Sequence, residues 1–384
     1  MSMRYQAAIL TASFFPLQTP DAPTIGTATA GNAQVSITFT APSNVGGGAI
    51  TSYIAIAKDT STGAVVTNTG VSSPITITGL TNGANYTVTV SATNAFGTGP
   101  ASSASNSATP VAPTIVEYLV VAGGGSGGQY VGGGGGAGGL RSGTASVSAG
   151  TPYTITVGAG GAQKTSPGTG NNGFASSAFG INTTGGGGGA NLTNNGNSGG
   201  SGGGGATNTG GSLTSPGSGN AGGYSPVEGY AGGTSGDGVA GDAVTGGGGG
   251  AGAVGANATP SPVKGGDGGI GRVWPSGSGT YYGGGGGGCG GETGTAGSGG
   301  LGGGGAGSIG NATPTAGTAN RGGGGGAGRG GNGTPVGAAG GSGIVIIRYP
   351  DSFPLATSTT GSPSVTTTGG YRVYSWTSSG SITF

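Results

Sequence analysis

Val116-Glu117-Tyr118-Leu119-Val120-Val121-Ala122-Gly123-Gly124-Gly125 opens, and Gly341-Ser342-Gly343-Ile344-Val345-Ile346-Ile347-Arg348-Tyr349 closes, the stretch whose reading decides this fold. Residues 121–350 hold 91 of the chain's 106 glycines. They include the runs Gly132–Gly136, Gly185–Gly189, Gly246–Gly250, Gly283–Gly288 and Gly322–Gly326. Glycine has no side chain to bury and loses more backbone freedom on folding than any other residue. An ordinary hydrophobic core is therefore excluded there, and the stretch is either disordered or ordered by backbone packing. The flanking strands decide between these. Disordered low-complexity chains are usually charged or rich in Gln or Pro. This stretch is nearly uncharged, and apolar strands such as Ile344–Ile347 need a partner surface.

Packed glycine runs suit the polyproline-II-like helix, with three residues per turn and a rise of about 3.1 Å, so five or six residues span roughly 15–19 Å. Such a helix makes no internal hydrogen bonds, and its amides must pair with water or with adjacent helices. Without Cβ atoms neighbouring backbones approach on all sides, and N–H···O and Cα–H···O contacts replace a core. Asn/Ser/Thr/Pro-rich turns between the runs predict many parallel and antiparallel passes. No strict G-X-Y register persists, which excludes collagen.

Composition excludes several functions. The 384 residues suffice for two or three domains. Ten Lys and Arg against nine Asp and Glu give a net charge of +1, with no bulk attraction to nucleic acid or anionic membrane. The absence of histidine removes the commonest general base and metal ligand. The single cysteine, Cys289, excludes an intrachain disulfide and a CxxC metal site. Asp237, Asp242 and Asp267 match no calcium-loop spacing and read as solvated turn residues. Arg321 and Arg329 each precede two glycines but lack the basic field of an RNA-binding segment. No GxxxxGK phosphate loop follows a strand. Acceptor sequons at Asn191, Asn257, Asn311 and Asn332 matter only in a eukaryotic secretory protein. No enzyme activity, metal or cofactor is expected.

Residues 20–110 differ in texture. Val35, Ile37 and Phe39, then Ile75 and Ile77, then Tyr86, Val88, Val90 and Ala92 alternate with the period of half-buried strands. Gly/Asn/Pro clusters punctuate them at short intervals, as in a β-sandwich. In Gly79-Leu80-Thr81-Asn82-Gly83-Ala84-Asn85-Tyr86 a Leu stands six residues before a Tyr. This resembles the tyrosine corner of fibronectin type III domains. Pro23, Tyr53 and the Asn94–Gly99 turn fit the resemblance, while Phe39 stands where that family usually has Trp. The resemblance implies a β-sandwich over 20–110 that acts as a spacer or docking module; no RGD supports integrin-type binding.

The two bracketing segments, with Gly138-Gly139-Leu140-Arg141 and Tyr153-Thr154-Ile155-Thr156-Val157-Gly158, resemble the glycine-rich domain of bacteriophage tail-fibre and adhesin-type proteins over residues 114–350. The expected fold is mainly β: a fibronectin-like sandwich, then packed polyglycine-II-type helices framed by strands. The resemblance implies a virion-associated tail fibre or adhesin that recognises a host surface glycan or outer-membrane protein. A capsid decoration or filament-forming protein without a receptor role, and a bacterial surface adhesin, are the alternatives. Residues 1–19 carry a short apolar run, too short to span a bilayer, and are expected to anchor the chain to other virion proteins. A homo-oligomer is expected, without nucleic acid or membrane insertion.

Recognition is expected in the loops, because rod interiors offer only backbone. Tyr224, Tyr230, Trp274, Tyr281 and Tyr282 are the candidate receptor-binding residues, since aromatics give large contact area at low entropic cost. The alternative is that these rings plug the ends of the glycine bundle. In residues 351–384 the alternation of 371–384 and its Ser-Ser-Gly turn predict a hairpin. Its strands are expected to pair beside 116–121, in this subunit or a neighbour.

Overall fold

The computed structural model describes residues 17–164, 168–207, 212–236, 242–330 and 336–384, and these contain strands and turns but no helix. The apolar run expected to anchor the chain lies outside the described residues. Two compact units emerge, Met1–Pro113 with Phe353–Leu355 and Thr114–Ser352 with Ala356–Phe384.

The first unit contains seven strands, β1 (Thr24–Gly31), β2 (Gln34–Thr40), β3 (Ser52–Asp59), β4 (Val65–Gly70), β5 (Ile75–Thr78), β6 (Tyr86–Asn94) and β7 (Gly97–Thr98), and the apolar alternation supplies the buried faces of β2, β3, β5 and β6. They form two sheets, ordered β1-β2-β5 and β4-β3-β6-β7. Every second residue of β6, from Tyr86 to Asn94, is buried. Val35, Ile37, Ile77, Ala55, Val88 and Val90 from both sheets are fully buried in one core. Burial of each Val or Ile side chain here contributes roughly 1.5–3 kcal/mol. The Thr81 amide donates to the Tyr86 hydroxyl at 3.1 Å, and Leu80 is buried. Phe39 packs on Tyr53 with ring centroids 4.7 Å apart, so the smaller ring still fills its core position.

The second unit contains β8 (Ile115–Val121), β9 (Leu140–Ser146), β10 (Pro152–Ile155), β11 (Ser176–Ala178), β12 (Ile181–Thr183), β13 (Thr259–Pro260), β14 (Val263–Lys264), β15 (Arg272–Val273), β16 (Tyr281–Tyr282), β17 (Ile344–Pro350), β18 (Ser358–Thr360), β19 (Ser364–Thr368), β20 (Tyr371–Trp376) and β21 (Gly380–Thr383). A five-stranded antiparallel sheet runs β19-β20-β17-β8-β9, and a three-stranded one runs β10-β21-β18. One face of the larger sheet carries Tyr349, Tyr374 and Trp376, stacked in sequence at 5.8 and 5.9 Å. Phe384 meets Tyr349 edge-on at 5.6 Å. Their polar tips are satisfied: the two tyrosine hydroxyls bond at 3.0 Å, and the Trp376 indole N–H donates to Thr360 O at 2.9 Å. The other face buries Leu119, Val121, Leu140, Ile344 and Ile346 with Ala251. Covering both faces explains why β8 and β17 read as continuous apolar runs.

The C-terminal strands depart from expectation. Residues 371–376 and 380–383 do not form a hairpin together: β20 turns from β19 through Gly369-Gly370, whose φ angles are +58° and +79°, and β21 enters the smaller sheet. Such positive φ at both central residues is what a tight hairpin turn demands. Nor does β20 lie beside 116–121. A strand has two edges, and those of β8 are taken by β17 and β9, so β20 pairs one strand further out, on β17 of the same chain.

Between the framing strands the glycine runs pack against one another. In Gly132–Gly139 the amides of Gly132, Gly135 and Gly138 donate to the carbonyls of Gly328, Gly325 and Gly322. Those of Gly133, Gly136 and Gly139 donate to Ala190, Gly187 and Thr184, and those of Gly134 and Ala137 to Gly246 and Gly249. The carbonyls of Gly133, Gly136 and Gly139 accept from Gly128, Gly125 and Ala122; Gly134 and Ala137 accept from Gly204 and Ser201; Gly135 accepts from Gly286. One run thus bonds to six others, with N···O distances of 2.8–3.2 Å and a repeat of three residues toward the five that it meets more than once. The order is mixed: 322–328 and 184–190 run antiparallel to it, 246–249 parallel. Each such bond contributes only about 0.5–1.5 kcal/mol net, but an amide buried here without a partner would cost more. Glycine is required by contact: a Cβ on Gly135 would collide with the carbonyl of Gly125.

Candidate functional site

The bundle has two ends. At one, Ala122 and Gly139 connect directly to β8 and β9, and Gly322 and Gly283 lie alongside. Tyr282, whose run starts at this end, is packed with Trp274 against the apolar face of the five-stranded sheet. Both belong to a short ribbon in which β15 pairs with β16, Arg272 opposite Tyr282 and Val273 opposite Tyr281. The loop carrying Tyr224 and Tyr230 is tied to that ribbon by Arg272, whose Nη2 donates to Val227 O at 2.6 Å.

The five aromatic candidates are all half-buried. Three of them lie against arginines. The Arg348 guanidinium sits 5.2 Å from the Trp274 ring and 4.3 Å from that of Tyr371. Arg141 lies 4.4 Å from the Tyr224 ring, and Arg321 lies 5.6 Å from that of Tyr282. Arg321 also donates to Tyr281 O at 2.9 Å. Burial raises the Tyr282 hydroxyl pKa above its ordinary value, with the Arg321 charge opposing. Tyr230 is held by its backbone, donating to Gly250 O at 3.1 Å and accepting from Gly202 N at 2.9 Å. Each cation–π contact contributes about 0.5–1 kcal/mol where solvent reaches it. The rings of Trp274, Tyr224 and Tyr282 are thus engaged at the bundle end, whereas Tyr281 and Tyr230 are held there through backbone atoms.

The sequence did not single out Arg348, Glu117, Arg141 or Tyr371, which organise this end. One signal was available: Arg348 is a lone charge in an apolar strand, and a charge placed there demands a partner. The aspartates do not converge. Asp242 accepts from the Glu292 amide at 2.8 Å, whereas Asp267 pairs with Lys264 at 2.6 Å and accepts from the Ser298 amide at 2.7 Å. Asp237 and Asn332 lie outside the described residues. Among the described residues no three His, Cys, Asp or Glu group to hold a metal ion, and no helix is long and apolar enough to cross a membrane.

Comparison with known proteins assigns both units. The family model for a fibronectin type III domain matches residues 21–108. Among solved structures, the titin kinase with its flanking domains is 26% identical over 24% of this chain and 17% of that one, with a TM-score of 0.22. Domains A168–A170 of titin are 25% identical over 24% of this chain and 32% of that one, also at 0.22. The twitchin kinase region from C. elegans is 20% identical over 24% of this chain and 17% of that one, at 0.23. The chain thus spans less than a third of each of these structures. No curated protein matches it. The first unit is a fibronectin type III β-sandwich, and because the glycine-rich domain model accounts for residues 100–350, well over half of the chain, the protein belongs to the glycine-rich domain family.

Proposed function

We propose that this protein is a virion-associated adhesin, a phage tail-fibre component that binds a host surface glycan or outer-membrane protein through the connections of its glycine bundle. The observation that carries the proposal is the six-neighbour packing of the run 132–139, whose repeat of three residues suits polyglycine-II-type helices. A bundle of that kind is uncharged and presents side chains only where runs end, which suits a rigid mount for short recognition loops. The fibronectin type III unit serves as spacer, and the N-terminal segment attaches to other virion proteins. The aromatic edges of Tyr224, Tyr230, Trp274, Tyr281 and Tyr282 belong to the recognition surface at the sheet end.

Immunogold electron microscopy of particles, with antibody against residues 114–350, tests the proposal. Label at tail tips or fibres is the expected result. Label spread over capsids or along free filaments would replace it with the structural alternative, for which the fully exposed edge strand β19 offers a lateral contact. Label on bacterial surfaces alone would favour a cellular adhesin.

A further inference from the structure

The end of the bundle away from the sheets holds a cleft of about 560 Å³ lined by Tyr130, Val131, Leu192, Glu292, Asn311 and Arg329. That volume lies within the range of about 300–1,000 Å³ typical of small-ligand sites. Its walls come from connections following several glycine runs, so residues far apart in sequence converge by the packing of the runs alone.

Tyr130 and Val131 interrupt the glycines between Gly128 and Gly132 at φ angles of +49° and +54°. The left-handed region is uncommon for a side-chain-bearing residue and an outlier for β-branched valine. Glycine would adopt it without strain and abounds on both sides, yet the chain places an aromatic and an aliphatic side chain there. The conformation is held by the Val131 amide donating to Arg329 O at 3.2 Å and the Gly132 amide donating to Gly328 O at 3.2 Å. Strain maintained in this way concentrates at ligand clamps and active sites.

The polar groups narrow the ligand. Arg329 Nη2 stands 3.3 Å from Glu292 Oε1, with Arg329 mostly buried and Glu292 mostly exposed. Asp242 fixes the Glu292 backbone, and the Ser308 hydroxyl accepts from the Arg329 amide at 3.1 Å. The ion pair carries no net charge and does not select an anion. It sets an obligate acceptor beside an obligate donor, with the Asn311 amide supplying both functions. Adjacent hydroxyls, each donor and acceptor, satisfy this array, while the half-buried Tyr130 and Leu192 suit an apolar C–H face, backed by Val131, which is buried with Ala243, Cys289 and Ala327. We propose that the cleft binds a neutral saccharide ring. This rests on the adhesin reading for the sugar's origin on a host surface, but not for the binding itself.

Saturation-transfer NMR on the full chain, with methyl glycosides of glucose, galactose, mannose and N-acetylglucosamine as probes, tests the site. At least one glycoside should receive saturation, strongest at ring C–H protons. Glu292→Gln and Asn311→Ala should each weaken binding between about threefold and tenfold, as expected when one hydrogen bond is weakened or lost. Protection of Cys289 from thiol reagents verifies that each variant is folded. Absence of saturation for all four glycosides overturns the proposal, as does unchanged binding in both variants. Binding that survives both variants but is lost in Trp274→Ala overturns this cleft and leaves the adhesin reading intact. Cleft-dependent binding by a protein whose particle label lies on capsids retains the cleft and removes the adhesin reading.

Discussion

Arg348 and Glu117, 231 residues apart, stand opposite each other on neighbouring strands, and the arginine Nε and Nη2 both donate to one carboxylate oxygen, at 2.9 and 2.6 Å. The pair joins the strand that leads into the glycine stretch to the strand that leads out of it. Its guanidinium also lies over the rings of Trp274 and Tyr371, so one charged group connects the sheet to the loop ribbon.

Arg348→Met is expected to destabilise the second unit by about 2 kcal/mol, since ion pair and ring contacts are lost together. Glu117→Gln should cost about 1 kcal/mol, because the pair is partly solvated. Urea unfolding of the two variants and the double variant measures this. A coupling energy near zero in the cycle would show that the pair contributes nothing.

Gly135→Ala places a methyl group against the Gly125 carbonyl in the interior of the bundle and should destabilise it by about 3 kcal/mol. Gly143→Ala, where the nearest atom is the Tyr118 hydroxyl at 3.2 Å, should change stability by less than about 1 kcal/mol. Thermal melts followed by circular dichroism distinguish the two. Equal effects would contradict backbone packing as the source of order.

Cys289 is fully buried, and burial pushes its thiol up to about 11, with Thr245 and Arg329 opposing. The native protein should therefore resist alkylation at pH 8, and reaction should follow global unfolding. Mass spectrometry after timed iodoacetamide exposure checks this; rapid labelling of the native protein would mean that the bundle opens locally.

In the fibronectin type III unit, the Ser61 hydroxyl and the amides of Ser61 and Thr62 hold the Asp59 carboxyl down at about 2, from an ordinary 3.8. A depressed carboxyl pKa stabilises the fold fully above 3.8, and that contribution fades as pH falls toward about 2. Asp59→Asn should remove this part of the acid dependence while leaving the remainder. Denaturant midpoints between pH 5 and pH 2 provide the comparison; identical profiles for both proteins would refute it.

A chain ending at Pro350 loses β18–β21 and uncovers Tyr349, which the full chain buries. Burial of an aromatic layer stabilises by several kcal/mol, so this shortened protein should aggregate or lose its cooperative melt. Size-exclusion chromatography and calorimetry decide; an unchanged melt would show that the C-terminal strands are dispensable.

The sequence by itself determined the elements whose periodicity is local. Alternation in 35–39, 75–77 and 86–92 was enough for a β-sandwich, because a strand with one buried face writes its pattern into every second residue, and the Leu80–Tyr86 spacing carried the resemblance to fibronectin type III domains. The bracketing strands and glycine runs likewise announced order without a side-chain core. Tertiary structure alone decided the partners. Glycine runs are alike in sequence, so nothing local says that 132–139 meets 184–190 and 322–328 antiparallel but 246–249 parallel. The same holds for β20, whose alternation shows a buried face but not which strand edge it takes. It decided too that Tyr224, Trp274 and Tyr282 lie against arginines from distant segments, and that Tyr130, Glu292 and Arg329 share a cleft. Those contacts depend on which runs become neighbours, and hydrogen bonds between identical backbones encode that choice only in the completed bundle.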